Sequence, residues 1–181
     1  MNTLVIHPQD PTTEFLTKIY QNLDNTNVIR RGVSKDKVGE LITTHDRCFF
    51  LGHGTPNGLM SVGMFKNSWG YIIDIDMVSS LIHQKNNMYI WCHAKLFVEL
   101  HDLHGFYTDM FISEVSEAEY HGFTKVSQSE ITESNKVFGE LVGGNINKTN
   151  EEIYHILKTE YSRFGNTNRI GKYNSKRIFI R

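Results

Sequence analysis

Two apolar runs decide the reading of this chain: Arg47-Cys-Phe-Phe-Leu-Gly-His53-Gly54 and Met88-Tyr-Ile-Trp-Cys92. Short stretches rich in aromatic and branched residues, stopped sharply by glycine or a polar residue, read as inner strands of a parallel sheet. Ligands of open α/β sheets collect at the carboxyl ends of such strands, and His53 and Cys92 fall at those ends. The 39 positions from one to the other leave room for a hairpin excursion and a crossover helix. Both side chains are therefore expected on one edge of the sheet.

Outward from these runs the pattern alternates between strand and helix. Residues 3–7 read as a first strand, and Asp10-Pro11 as an N-cap with proline in the first helical position, ahead of Phe15, Leu16, Ile19, Tyr20 and Leu23 at helical spacing. Residues 27–30 form a second strand, and Ser34 caps a helix bearing Val38, Leu41 and Ile42. The glycine-rich stretch 55–70 suits turns and a small hairpin, with 71–75 returning as a strand and Asp76 capping a helix through Met77, Val78, Leu81 and Ile82. Beyond Cys92 the pattern predicts a helix over about 95–103 ending near Gly105, and a fifth strand over 110–115. Capping-box spacing at Ser127/Glu130 and Thr149/Glu152 precedes two amphipathic helices, with 139–147 as a loop between them and 176–181 as a closing strand. The expected fold is a single α/β domain over residues 1–181, a three-layer α/β/α sandwich with a mostly parallel central sheet.

The charge balance, 19 basic against 20 acidic residues in 181, gives no electrostatic ground for nucleic acid or an anionic membrane as the main partner. The opening Met-Asn-Thr-Leu-Val-Ile lacks the pattern of a secretory signal, and no apolar run approaches the ~20 residues that span a bilayer. A cytosolic location is expected. Two cysteines are too few for a disulfide framework, and Cys48, inside an apolar run, reads as a small core residue.

A thiol beside an imidazole is the minimum equipment for acyl transfer: the thiolate attacks a carbonyl and the imidazole moves the protons. Cys92 is the candidate nucleophile and His53 the candidate proton carrier. Gly54, with no Cβ, would let substrate approach the backbone, and N–H groups at Gly54 and Cys92 would hold the oxyanion. No metal or organic cofactor is needed. Nine histidines invite a metal reading, with His101 and His104 on one helical face, but no HExxH or CxxC spacing occurs. Each residue also has a plainer reading, Cys92 as a buried structural thiol and His53 as a turn residue, and their joint occurrence at two strand ends favours the dyad.

An apolar strand closing in His-Gly, a glycine-rich hairpin region and a second apolar strand closing in Cys resemble the caspase-like (clan CD) cysteine peptidases. The likeness covers roughly residues 3–118 and implies a caspase-like fold. It also implies hydrolysis of a peptide or protein substrate through an acyl-enzyme, with His53, Gly54 and Cys92 as catalytic positions. The flanks depart from the family: Trp91 precedes the cysteine and His93-Ala94 follow it, where these peptidases often carry a small or polar residue before and Gly or Ser two after. The resemblance further implies acidic residues lining a pocket for Arg or Lys, for which Asp10, Glu114 and Glu117 are candidates. An N-cap for Asp10 and a solvated strand end for the glutamates stand beside that reading. The rival from another class is a non-catalytic α/β binding module that uses the same edge for a small molecule or protein. Arg169, Lys172, Lys176, Arg177 and Arg181 either meet an acidic partner or guard an edge strand.

Overall fold

The computed structural model describes every residue from Met1 to Arg181. Along the chain, β1 (Thr3–Ile6) leads through the Asp10 cap into a 3-10 helix (Pro11–Ile19), followed by β2 (Thr26–Ile29), α1 (Lys35–Thr43) and β3 (Arg47–Leu51). Three short strands, β4 (Gly54–Thr55), β5 (Gly58–Met60) and β6 (Tyr71–Ile73), form a separate small antiparallel sheet. A 3-10 turn (Ile75–Met77) and α2 (Val78–Leu81) return the chain to β7 (Asn87–Ile90), α3 (Ala94–Leu100) and β8 (Gly105–Thr108). The remainder is helical, α4 (Val115–Tyr120), α5 (Gln128–Gly144), α6 (Asn150–Ile156), a π-helical stretch (Leu157–Tyr161), α7 (Ser162–Phe164) and α8 (Arg169–Ser175), until β9 (Ile178–Ile180). No helix is long and apolar enough to cross a membrane.

The central sheet has six strands in the order β2-β1-β3-β7-β8-β9, all parallel except β9, which runs antiparallel to β8. The molecule is thus an α/β protein with a mostly parallel sheet. Its inner strands are buried along their whole length, with apolar side chains packed on both faces. Alternation divides each strand between two cores. Leu4, Ile6, Cys48, Phe50, Tyr89 and Tyr107 pack with Val38 and Ile42 of α1, Leu81 of α2 and Phe97 of α3. Val5, Phe49, Leu51, Met88, Ile90 and Phe106 pack instead with Leu16 and Ile19 of the 3-10 helix and Phe138 and Val142 of α5. Emptying one of these positions, as in Phe49→Ala, costs about 3–5 kcal/mol.

Five expectations are corrected. The fifth strand is Gly105–Thr108, not 110–115, and α3 stops at Leu100. Ile112 is apolar and fully buried, but its backbone N–H and C=O are both taken by the Asn174 side-chain amide at 2.8 Å, so the segment needs no sheet partner. Glu114 and Glu117 consequently open a helix rather than end a strand. Asp74, not Asp76, caps the turn before α2, accepting from the Asp76 N–H, while the Asp76 carboxylate pairs with Lys35 at 2.7 Å. The helix α5 runs through the expected loop as far as Gly144. Its Gly143 lies against the 3-10 helix, where a Cβ would sit 2.1 Å from the Lys18 carbonyl oxygen, so glycine is kept for close approach and not as a helix breaker. The capping boxes at Ser127/Glu130 and Thr149/Glu152 form as the spacing predicts.

Candidate functional site

His53 and Cys92 leave neighbouring parallel strands at the same level. The register pairs Leu51 with Ile90, the Gly52 N–H donates to the Ile90 carbonyl at 3.0 Å, and two further steps bring His53 opposite Cys92. Alternation gives His53 the face of Phe49 and Leu51, and Cys92 the face of Met88 and Ile90, which is one and the same core face. Both residues line a cavity of about 20 Å3 roofed by Phe15 and Leu16 of the 3-10 helix and closed by Phe111, space for a single water.

The imidazole is held from behind. Its Nε2 lies 2.6 Å from the Thr12 hydroxyl, which lies 2.6 Å from Asp10 Oδ1. Hydrogen bonds from Thr12 hold the Asp10 carboxyl below its usual range, burial opposing them, so Asp10 is a carboxylate and only accepts. The single hydroxyl proton of Thr12 therefore goes to Asp10, and the hydroxyl oxygen accepts from Nε2–H of His53. In the neutral ring this leaves the lone pair on Nδ1. Asp10 also accepts from the Thr12 N–H at 2.9 Å as the cap of the 3-10 helix and stands 3.7 Å from His53 Nε2.

The thiol is held differently. Cys92 Sγ donates toward the Phe111 carbonyl at 3.4 Å and Glu117 Oε1 at 3.7 Å, and no hydrogen bond joins it to His53. Burial pushes its pKa up to about 12, and the Glu117 carboxylate pushes the same way. Cys48 is pushed to about 12 by burial alone. The Cys92 N–H makes no backbone hydrogen bond, leaving one donor at the strand end. His93, in the left-handed region at φ 68°, turns the chain from the strand end into α3, with its Nδ1 3.3 Å from Asp109.

Gly54 serves a different purpose from the one its lack of a side chain suggests. A Cβ there would lie 2.0 Å from Trp91 Cδ1, so the space belongs to the indole, whose Nε1–H donates to the Thr55 carbonyl at 3.1 Å. Trp91, the departure before the cysteine, thereby clamps the His-Gly turn to the Cys92 strand. The three candidate substrate carboxylates do not converge on one pocket. Asp10 backs His53. The Glu117 Oε2 accepts from the N–H and hydroxyl of Ser113 and from the Glu114 N–H while Oε1 meets the thiol. Glu114 lines a separate open groove of about 640 Å3 with Lys18 and Lys136. Sequence reasoning passed over Thr12 and Phe111; for Thr12 the signal was present, a hydroxyl two residues after a capping aspartate. Compared with protein-family models, curated proteins and solved structures, the chain matches none.

Proposed function

We propose that the chain is a cysteine peptidase with the three-layer α/β/α arrangement of the caspase-like enzymes it resembles, Cys92 the nucleophile and His53 the proton carrier. The observation that carries the reading is the pairing of His53 with Cys92, level on adjacent strands, on one face and over one water-sized cavity. In this scheme Cys92 Sγ turns from Phe111 and Glu117 toward the free Nδ1 of His53, gives up its proton and attacks the scissile carbonyl. The imidazolium is stabilised through Thr12 by the Asp10 carboxylate, and the unpaired Cys92 N–H faces the developing oxyanion. His53 then protonates the leaving amine, and water hydrolyses the thioester. Two free thiols suit a reducing compartment such as the cytosol.

One observation favours the rival, a non-catalytic binding module: the thiol is protonated and committed to a carbonyl and a carboxylate. Labelling with a peptide electrophile, read by mass spectrometry, separates the two. The peptidase reading expects Cys92 to be modified faster than Cys48, with the advantage lost in His53→Ala. Equal, slow modification of both thiols would leave the binding module.

A further inference from the structure

From Tyr161 to Arg181 the chain carries six of its 19 basic residues and none of its 20 acidic ones, although the whole molecule is nearly neutral. The fold does not scatter these cations. Arg169, Lys172, Tyr173, Lys176 and Arg177 follow the spacing of a single helical stripe, and with Phe123 they line a groove of about 330 Å3. The opposite side of α8, with Ile170, Gly171, Asn174 and Ser175, is the buried one.

Two ordinary explanations account for part of the groove. Lys172 lies in the last turn of α8 and Lys176 and Arg177 follow its C-terminus, where cations suit the helix dipole, but the dipole does not require that they line one groove with Arg169 at its other end. Edge protection calls for charge on the strand, whereas β9 is Ile178-Phe179-Ile180 and the cations precede it. Arg169 is fully engaged, by Glu130 and by the Thr124 and Lys125 carbonyls, and acts as a clamp on the neighbouring loop. Arg177 lies 3.4 Å from the Tyr173 ring centroid and donates once, to the Tyr173 carbonyl. Lys172 and Lys176 are exposed and make no ion pair. Three cations are thus available, with Glu130 already paired.

We infer that this groove is a binding site for a short acidic segment of a partner protein, its carboxylates meeting Lys172, Lys176 and the free edge of Arg177. Nucleic acid is the poorer fit. Arg177 covers one face of Tyr173 and the Phe123 ring meets it edge to face, so the rings offer no stacking platform for bases. Glu130 is the acid beside the groove and Arg169 neutralises it, while the rest of the molecule carries an excess of acidic residues that repels a long polyanion running past the groove. A segment of a few residues ends before it meets them. The inference stands apart from the chemistry at Cys92.

The test is fluorescence anisotropy of the full-length protein with a labelled ten-residue peptide of alternating Glu and Gly. A Gln/Gly peptide and a single-stranded RNA of the same length are run alongside. Binding is expected for the acidic peptide, weakening steeply with salt, and weakening roughly five- to tenfold in each of Lys172→Glu and Lys176→Glu. Both positions are exposed and unpaired, and a thermal melt of each variant reports whether the fold is kept. Lys37→Glu, a charge reversal on α1, is expected to leave the affinity unchanged. RNA bound more tightly than the peptide, peptide affinity indifferent to both lysine changes in folded protein, or no binding at low salt would each overturn the inference.

Discussion

His53 and Cys92 end neighbouring strands, yet their surroundings prepare them in opposite ways. The imidazole rests on Thr12 and through it on the Asp10 carboxylate, partners that fix its tautomer and orient the ring. The thiol donates to a carbonyl and to Glu117, and burial first, then the Glu117 charge, disfavours its thiolate. On the proposed reading the base is oriented and the nucleophile is restrained. Any reaction at this site is therefore limited at the sulfur, and the first thing to measure is how far the imidazole overcomes that restraint.

The largest effect follows from removing the base. If Cys92 reacts by passing its proton to His53, His53→Ala lowers the rate of Cys92 modification by a peptide electrophile by about 10²- to 10⁴-fold, the usual worth of a positioned general base. The change is confined to Cys92, because Cys48 is fully buried on the other face of the sheet. An unchanged Cys92 rate in the variant would break the pairing of the two halves and leave only two unrelated residues on one edge.

What the sequence disclosed about these halves depended on how locally each feature is encoded. Strands buried on both faces must be apolar throughout, so β1, β3 and β7 are legible as runs, and the placement of His53 and Cys92 follows. Capping boxes are contained in four residues, and Ser127/Glu130 and Thr149/Glu152 were readable for that reason. The segment around Ile112 misled because its strand-like composition is satisfied by Asn174, 62 positions away, which no window of sequence reveals. Glu117 looked like a strand-end acid until the true strand ended at Thr108 and left it on a helix, with both oxygens occupied. Gly54 was legible as a bare backbone but not as the seat of Trp91, since the contact joins two strands.

A second prediction concerns the ground on which the His53 half stands. His7 closes β1 with Nδ1 2.8 Å from the Tyr20 hydroxyl and Nε2 3.2 Å from the Thr13 hydroxyl, tying the strand to the 3-10 helix that carries Thr12. Burial, with help from the Arg30 charge, lowers its pKa to about 4. The folded state thus keeps His7 neutral where the unfolded chain would protonate it, between about pH 6.5 and 4. Its contribution is fully present above pH 6.5 and is lost as pH falls through that window, amounting to about 3 kcal/mol at the bottom. Thermal melts from pH 7.5 to 4.5 should fall more steeply for the wild type than for His7→Gln, which has no such titration. Parallel curves would show that the His53 half has no acid-sensitive support.

The third prediction loosens the restrained half. In Glu117→Gln the negative charge beside Sγ is gone while an amide oxygen remains to accept from Ser113 and Glu114, so the Cys92 pKa moves down and the rate of alkylation at pH 8 rises, by about tenfold for each unit gained. The measurement is the pH profile of iodoacetamide labelling at Cys92, with Cys48 as the internal reference. A profile that stays in place would assign the restraint to burial alone and leave Glu117 as an ordinary helix cap.

The smallest effect is expected at Thr12, and it separates orientation from mere packing. Thr12→Val keeps the shape of the side chain and removes both the link to Asp10 and the acceptor for Nε2–H, while the Asp10 cap keeps its bond from the residue 12 N–H. The loss to stability is therefore small, about 1 kcal/mol or less, because only one partly exposed hydroxyl network is broken. The rate of Cys92 labelling should fall several-fold, since the ring loses the acceptor that holds Nε2–H and with it the orientation of Nδ1. Thr12→Ser, which retains the hydroxyl, should restore the rate. If valine and serine behave alike, the chain from Asp10 through Thr12 to His53 is a feature of the helix cap, and the imidazole is no more prepared than the thiol.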